Sequence, residues 1–164
     1  MVFSACPAAR AQETPRVERY LADLFLGDSV DRVKKTYRPL QSWPSHEEPG
    51  VSVTRLLVKR GAAKDFPRSV ETMWLGMRRG RLVEIQVVYD AKYTRRKPVE
   101  AVARDLSLVY GEPRHTNDRF WWTDGKSVLR VFYVEVPVVR EGRRAVELRT
   151  SLQLLEADLF RRPG

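Results

Sequence analysis

Apolar residues recur at helical spacing near the start of the chain. Residues 17–24 predict a first helix, which Gly27 interrupts. A second helix is predicted directly afterwards, because Asp28 or Ser29 can cap its start and Pro39 stops it.

The spacing then changes to a period of two, which is typical of strands. Residues 51–59 predict one strand, and residues 69–90 predict a hairpin whose second strand alternates apolar residues with Glu84 and Gln86. This alternation indicates one buried face and one wet face. The polar residues 41–50 before these strands are predicted to form a loop.

A similar order of elements follows in the second half. Residues 91–97 are predicted to form a basic loop, and Pro98 opens another helix at a position where its missing N–H does no harm. Gly111 ends this helix. Three predicted strands follow, over residues 119–123, 126–139 and 144–160, with Asp124-Gly125 as a two-residue hairpin turn and a further turn over 140–143.

Because the same order of elements occurs twice, the sequence predicts an internal duplication and an α+β fold. Residues 17–95 and 96–160 would each form a helix followed by a three-stranded meander. Pairing the two halves into one mainly antiparallel sheet, with the helices packed on one face, would protect the strand edges and thicken the core. Residues 1–16 would be a signal remnant or tether outside this single compact domain.

Aromatic residues on the predicted strands suggest a binding surface. Neighbouring strand residues point to opposite faces, so Trp121 and Trp122 cannot both enter one core, and Trp74 presents the same choice in the first half. Arg130 and Phe132 share a face of the next strand. The face without helices would therefore be an aromatic binding face flanked by arginine, unless a loop or a second subunit buries it.

Composition and charge change this picture little. The 164 residues carry a net charge of +9, which points towards nucleic acid, anions or acidic membranes. The basic residues are dispersed and their clusters fall at predicted turns, so a basic nucleic-acid or anion-binding module is the alternative hypothesis. Binding of a protein or ligand through the open face of the sheet is favoured, with a protein as the expected partner. We expect no transmembrane segment, because no apolar run is long enough.

The first residues resemble an export signal. Ala9-Arg10-Ala11 fits a small-x-small cleavage pattern, and residues 3–6 resemble a lipoprotein lipobox in which Cys6 would carry the lipid anchor. Both interpretations predict a periplasmic or envelope location. A polar cytoplasmic N-terminus is the alternative.

The chain contains no recognisable catalytic or metal-binding motif. Its single cysteine excludes a disulfide within the chain, and His46 and His115 fall in separate predicted loops. Neither a phosphate-binding glycine loop nor a nucleophile elbow is present. We therefore predict no cofactor and no metal, and an enzyme of unknown class ranks third among the functional hypotheses.

Two stretches resemble bacterial envelope proteins. Residues 27–40, GDSVDRVKKTYRPL, resemble a helix signature of small lipoproteins that help to assemble the outer membrane. YGEP at 110–113, with the Trp-containing strand after it, resembles secreted bacterial domains, and the doubled layout is similar to the beta-lactamase-inhibitor-protein fold. These resemblances imply a non-catalytic, exported protein that holds a partner on its sheet; the matching residues mark helix ends and turns, so no functional residue is carried over.

Overall fold

A computed structural model describes residues 15–160 of the chain, and most of them belong to strands. The elements in chain order are β1 (Tyr20–Leu21), β2 (Leu24–Phe25), α1 (Val30–Thr36), β3 (Ser45–Glu48), β4 (Val53–Lys59), β5 (Val70–Arg78), β6 (Arg81–Tyr89), α2 (Ala91–Arg96), α3 (Val99–Tyr110), β7 (Arg114–Thr116), β8 (Arg119–Thr123), β9 (Ser127–Arg140), β10 (Arg143–Glu156) and a 3-10 turn (Ala157–Leu159).

One antiparallel sheet of eight strands dominates the fold, in the order β3-β4-β5-β6-β10-β9-β8-β7. Strands β3 to β6 form one meander and β7 to β10 form another, and a helix precedes each of them. The two meanders meet where β6 pairs with β10, over residues 84–88 and 151–155. The short strands β3 and β7 therefore lie at the two edges, far from the central seam.

The predicted α+β fold class, with two three-stranded meanders and helices packed on one face, is wrong. The chain is mostly β, with 49% strand and 19% helix, and its helices are few and small. Each meander gains a fourth strand, because residues 45–48 and 114–116 pair with their neighbours although they were predicted to be loops. These edge strands are fully exposed, so they lack the buried apolar positions that mark a strand in sequence.

The predicted first helix is also wrong, because its residues form the β1–β2 hairpin. Ala22 and Asp23 both adopt positive φ angles, 52° and 60°, which make a tight turn between the paired strands. The Tyr37 hydroxyl donates to the Ala22 carbonyl over 2.5 Å, and Leu24 is completely buried. Tertiary contacts thus override a pattern that fits helical spacing.

Two smaller predictions differ from the structure, and two are confirmed. Residues 91–96 form α2 rather than a loop, because the Asp90 carboxylate caps the helix by accepting from the Tyr93 N–H. The connection after β8 has three residues, 124–126, instead of two. Helix α1 begins after the predicted cap Ser29, and the turn at Glu141-Gly142 joins β9 to β10.

The hydrophobic core lies against one face of the sheet, which we call the core face. It receives alternate side chains of the long strands, together with Val33 of α1 and Val99 and Val102 of α3. The strand contribution includes Val58, Met73, Leu75, Ile85, Val87, Leu129, Val131, Leu152 and Leu154. The opposite side of the same strands is the open face, and its residues alternate with these.

The three helices within residues 15–160 fall short of the length and apolar character that a membrane span requires.

Candidate binding surface on the open face

A single row of residues crosses the open face from one meander to the other. Strand pairing aligns Trp74 with Gln86, Gln86 with Gln153, and Gln153 with Arg130. The complete row contains Leu57, Trp74, Gln86, Gln153, Arg130, Trp121 and Arg114, one from each of seven strands. We call it the open-face row. Gln86 and Gln153 form its centre, with a tryptophan on either side.

The structure separates the two neighbouring tryptophans of β8, as strand alternation requires. Trp122 belongs to the core and is only 5% exposed, whereas Trp121 is half-buried on the open face beside Phe160, at 5.8 Å between ring centroids. Trp74 is half-buried between the fully buried residues Met73 and Leu75, so it also faces the open side. Of the residues predicted to bind a partner, Trp74, Trp121, Arg130 and Phe132 lie on the open face and Trp122 does not.

The indole N–H groups distinguish these tryptophans further. Trp122 donates to the Gly111 carbonyl over 2.9 Å, and Trp43 donates to the Ala62 carbonyl over 3.1 Å. The indole N–H groups of Trp74 and Trp121 have no partner among residues 15–160. Of these two open-face rings, Trp74 lies under the Arg55 guanidinium carbon, at 5.0 Å from the ring centroid, and both indole donors lack a partner in the described part of the chain.

A buried polar cluster around Glu84 lies on the open face beside the open-face row and includes Gln86 and Gln153 of that row. The Arg55 guanidinium donates to Glu84 over 2.9 Å and to Gln86 over 3.0 Å. The Gln153 amide also donates to Glu84, and the Gln86 amide donates to the Ser151 hydroxyl over 3.0 Å. Such a connected network satisfies most of its buried polar atoms and holds their side chains in one geometry.

Gly76 provides the space that Glu84 occupies. It lies opposite Glu84 on the neighbouring strand, where the register between β5 and β6 is irregular. A Cβ atom at this position would approach the Glu84 Cβ to 2.8 Å and the Glu84 Oε2 to 2.9 Å. Position 76 must therefore be glycine for the buried carboxylate to keep its place.

Arg130 is held by aromatic rings and by a neighbour in the open-face row. Its Nε–H donates to Gln153, and its guanidinium carbon lies 4.5 Å from the Phe132 ring centroid and 5.9 Å from that of Phe160. Burial lowers the pKa of Arg130; the nearby Arg119 and Arg55 lower it further, while Glu84 opposes them. Contact with these two rings restrains the plane of the guanidinium.

Three adjoining depressions follow the open-face row. Cavity A, about 380 Å³, contains Arg55, Glu84, Arg130, Phe132 and Phe160 in its wall. Cavity B, about 820 Å³, lies beyond Gln86 and contains Trp74, Val88, Val134 and Arg149. A third depression of about 480 Å³ is lined by Trp121, Phe160 and Arg114. Gln86 and Phe160 each line two of them, so the depressions are continuous along the sheet.

The remaining candidate residues lie elsewhere. Cys6, the predicted lipidation site, lies outside the described residues, as does the Ala9-Arg10-Ala11 pattern. His46 and His115 are exposed on opposite edge strands. Within residues 15–160, no group of three or more histidine, cysteine, aspartate or glutamate side chains could hold a metal ion.

Sequence reasoning did not identify the polar cluster. Glu84 and Gln86 were assigned to a wet face, yet each is only 7% exposed, and Gln153 is 4% exposed. The available signal was a pair of polar residues at alternating positions in each central strand, Glu84 and Gln86 in β6 and Ser151 and Gln153 in β10. Because only the register between strands shows that these residues meet, the sequence of a single strand could not reveal the cluster.

No family model, curated protein or solved structure matches the chain.

Proposed function

We propose that this chain is a non-catalytic protein that binds an extended segment of a partner protein along the open-face row. The observation that carries the proposal is the pair of half-buried tryptophans, Trp74 and Trp121, whose indole N–H groups have no partner within residues 15–160. Tryptophan is the residue type most enriched among the side chains that dominate binding energy in interfaces.

The length of the open-face row supports an extended segment as the ligand. Seven strands spaced about 4.8 Å apart span about 29 Å, which is the length of about nine residues in extended conformation. The three depressions follow this direction and would receive successive side chains of the segment.

The charges around the cavities favour a protein over nucleic acid. Most arginines that line cavities A and B already pair with carboxylates: Arg55 with Glu84, Arg60 with Asp90, and Arg149 with Glu71 and Glu147. Nucleic-acid binding depends instead on several free cations that neutralise successive phosphates. The net charge of +9 alone therefore does not identify a phosphate-binding face.

The experiment is selection of peptides of about twelve residues from a random display library on the purified chain. We expect wild type to enrich a consensus, and Trp74→Ala and Trp121→Ala each to weaken the selected peptides about 30-fold, as binding hot spots do. Leu108→Ser is the control, because Leu108 is 86% exposed on α3, away from the open face. Peptides that bind both tryptophan variants as tightly as wild type would contradict the proposal.

The proposed location is the bacterial periplasm or envelope. It is supported by the small-x-small pattern at Ala9-Arg10-Ala11 and by the lipobox-like residues that end at Cys6. Mass spectrometry of the protein from its host should find a mature chain beginning at Gln12 or a lipid-modified Cys6. An intact, unmodified N-terminus in the cytosolic fraction would contradict both forms of export.

A further inference from the structure

Arg130 differs from the other arginines that line cavities A and B. No carboxylate within residues 15–160 forms an ion pair with it, whereas Arg55, Arg60 and Arg149 are all paired. Its only hydrogen bond in the described part of the chain is the one from Nε to Gln153. The two terminal nitrogens of the guanidinium therefore remain as unused donors in the wall of cavity A.

Of the two acids that line cavity A with Arg130, one is already engaged and the other lies at the surface. Glu84 accepts from both Arg55 and Gln153, so its charge is balanced by Arg55. Glu48 lines the same cavity from the exposed edge strand β3. Arg130 thus contributes to a partly desolvated site a positive charge that no carboxylate of residues 15–160 pairs directly, and an anion that joins it would relieve the cost of that burial.

The geometry around Arg130 selects the kind of anion. The Phe132 and Phe160 rings hold the plane of the guanidinium, while its edge with the terminal nitrogens is the part without partners. Two parallel donors in one plane match the two oxygens of a carboxylate. The same rings and Trp121 offer apolar contact to whatever carries that carboxylate.

We propose that Arg130 recognises a carboxylate of the bound partner, from an aspartate or glutamate side chain or from a C-terminus, in a two-donor ion pair within cavity A. This inference rests on the proposed function, because it names the chemical group that the open-face row receives. Arg130 would then supply the specificity of binding, and the tryptophans would supply contact area.

The test is a titration of the ¹⁵N-labelled full chain with benzoate, followed through the Arg130 Nε–H and Trp121 indole signals. Benzamide, which has the same ring without the charge, and inorganic phosphate are titrated in parallel at constant ionic strength. We expect benzoate to shift both signals with a Kd of about 1–10 mM, as expected for a ligand of this size. Benzamide should bind at least about tenfold more weakly.

Three variants locate the effect, each first checked for an unchanged amide spectrum. Arg130→Gln should weaken benzoate binding at least about tenfold, and Arg130→Lys should restore only part of it, because lysine keeps the charge but not the planar pair of donors. Arg60→Gln is the matched control: it removes the same charge from the open face at an arginine already paired with Asp90, so benzoate binding should not change.

Each contrary outcome is distinct from failure of the proposed function. Equal shifts with benzamide, equal affinity in Arg130→Gln, or tighter binding of phosphate than of benzoate would each overturn carboxylate recognition. Peptide selection could still succeed in all three cases. Conversely, if benzoate binds as expected and no peptide is selected, the carboxylate site stands and the segment-binding function fails.

Discussion

The two faces of strands β8 and β9 differ in whether their polar groups have partners inside the molecule. On the core face, Trp122 is buried and its indole N–H is bonded to Gly111. On the open face, no group of residues 15–160 accepts from the Trp121 indole N–H, and no carboxylate of that range pairs with Arg130. The indole N–H of the core face is thus bonded within the fold, whereas the open face presents donors that a ligand could use.

The largest expected effect on stability separates the two tryptophans. Trp122→Ala should lower the free energy of unfolding by about 3–5 kcal/mol, because it empties a core site and leaves the Gly111 carbonyl without its donor. Trp121→Ala should cost about 1 kcal/mol or less, since its ring is half-buried. Denaturant unfolding measures both. Similar losses in the two variants would mean that both faces are structural.

The next effect concerns Glu84, the buried carboxylate beside the open-face row. Glu84→Ala should lower the free energy of unfolding by about 2–3 kcal/mol, because the Arg55 guanidinium would lose its acid partner. The loss stays below that of a fully buried pair because the Arg55 side chain is 23% exposed. Glu71→Ala is the matched control on the same face. It should cost within about 1 kcal/mol, because Arg149 keeps Glu147. Chemical denaturation measures both variants, and equal losses in their free energies of unfolding would contradict the account.

A smaller loss is expected at Gly76. Gly76→Ala should cost about 2 kcal/mol, because the added methyl group meets the Glu84 Cβ at 2.8 Å and the two strands must move apart. Thermal unfolding measures this loss, and amide spectra should show the change concentrated around Arg55 and Glu84. An unaltered melting temperature would show that the carboxylate does not need this space.

The smallest expected effect on stability is at Arg130. Arg130→Met should leave the free energy of unfolding within about 0.5 kcal/mol of wild type, or raise it by up to about 1 kcal/mol, because it removes a desolvated charge without an acid partner. Chemical denaturation of the variant beside wild type checks this. A loss above about 1.5 kcal/mol would indicate that Arg130 stabilises the fold and is not reserved for a ligand.

Much of the strand arrangement could be predicted from local sequence, but the buried polar cluster around Glu84 could not. The period of two located the long strands, and it required Trp121 and Trp122 to lie on opposite faces. Residues 17–24 were mistaken for a helix because contacts with distant residues fix their hairpin, such as the bond from the Val17 N–H to Asp124 over 3.0 Å. The meeting of Glu84 with Gln153 depends on strand register, which periodicity within one strand does not determine.

The four tryptophan indole signals provide the most direct test of the central claim that the open face is the binding surface. A peptide selected on the chain is added to the ¹⁵N-labelled protein. Trp74 and Trp121 should shift, because their N–H groups have no partner within residues 15–160, while Trp43 and Trp122 should stay fixed in their bonds to Ala62 and Gly111. Shifts confined to Trp43 or Trp122, or no shift in any of the four at saturating peptide, would contradict the claim.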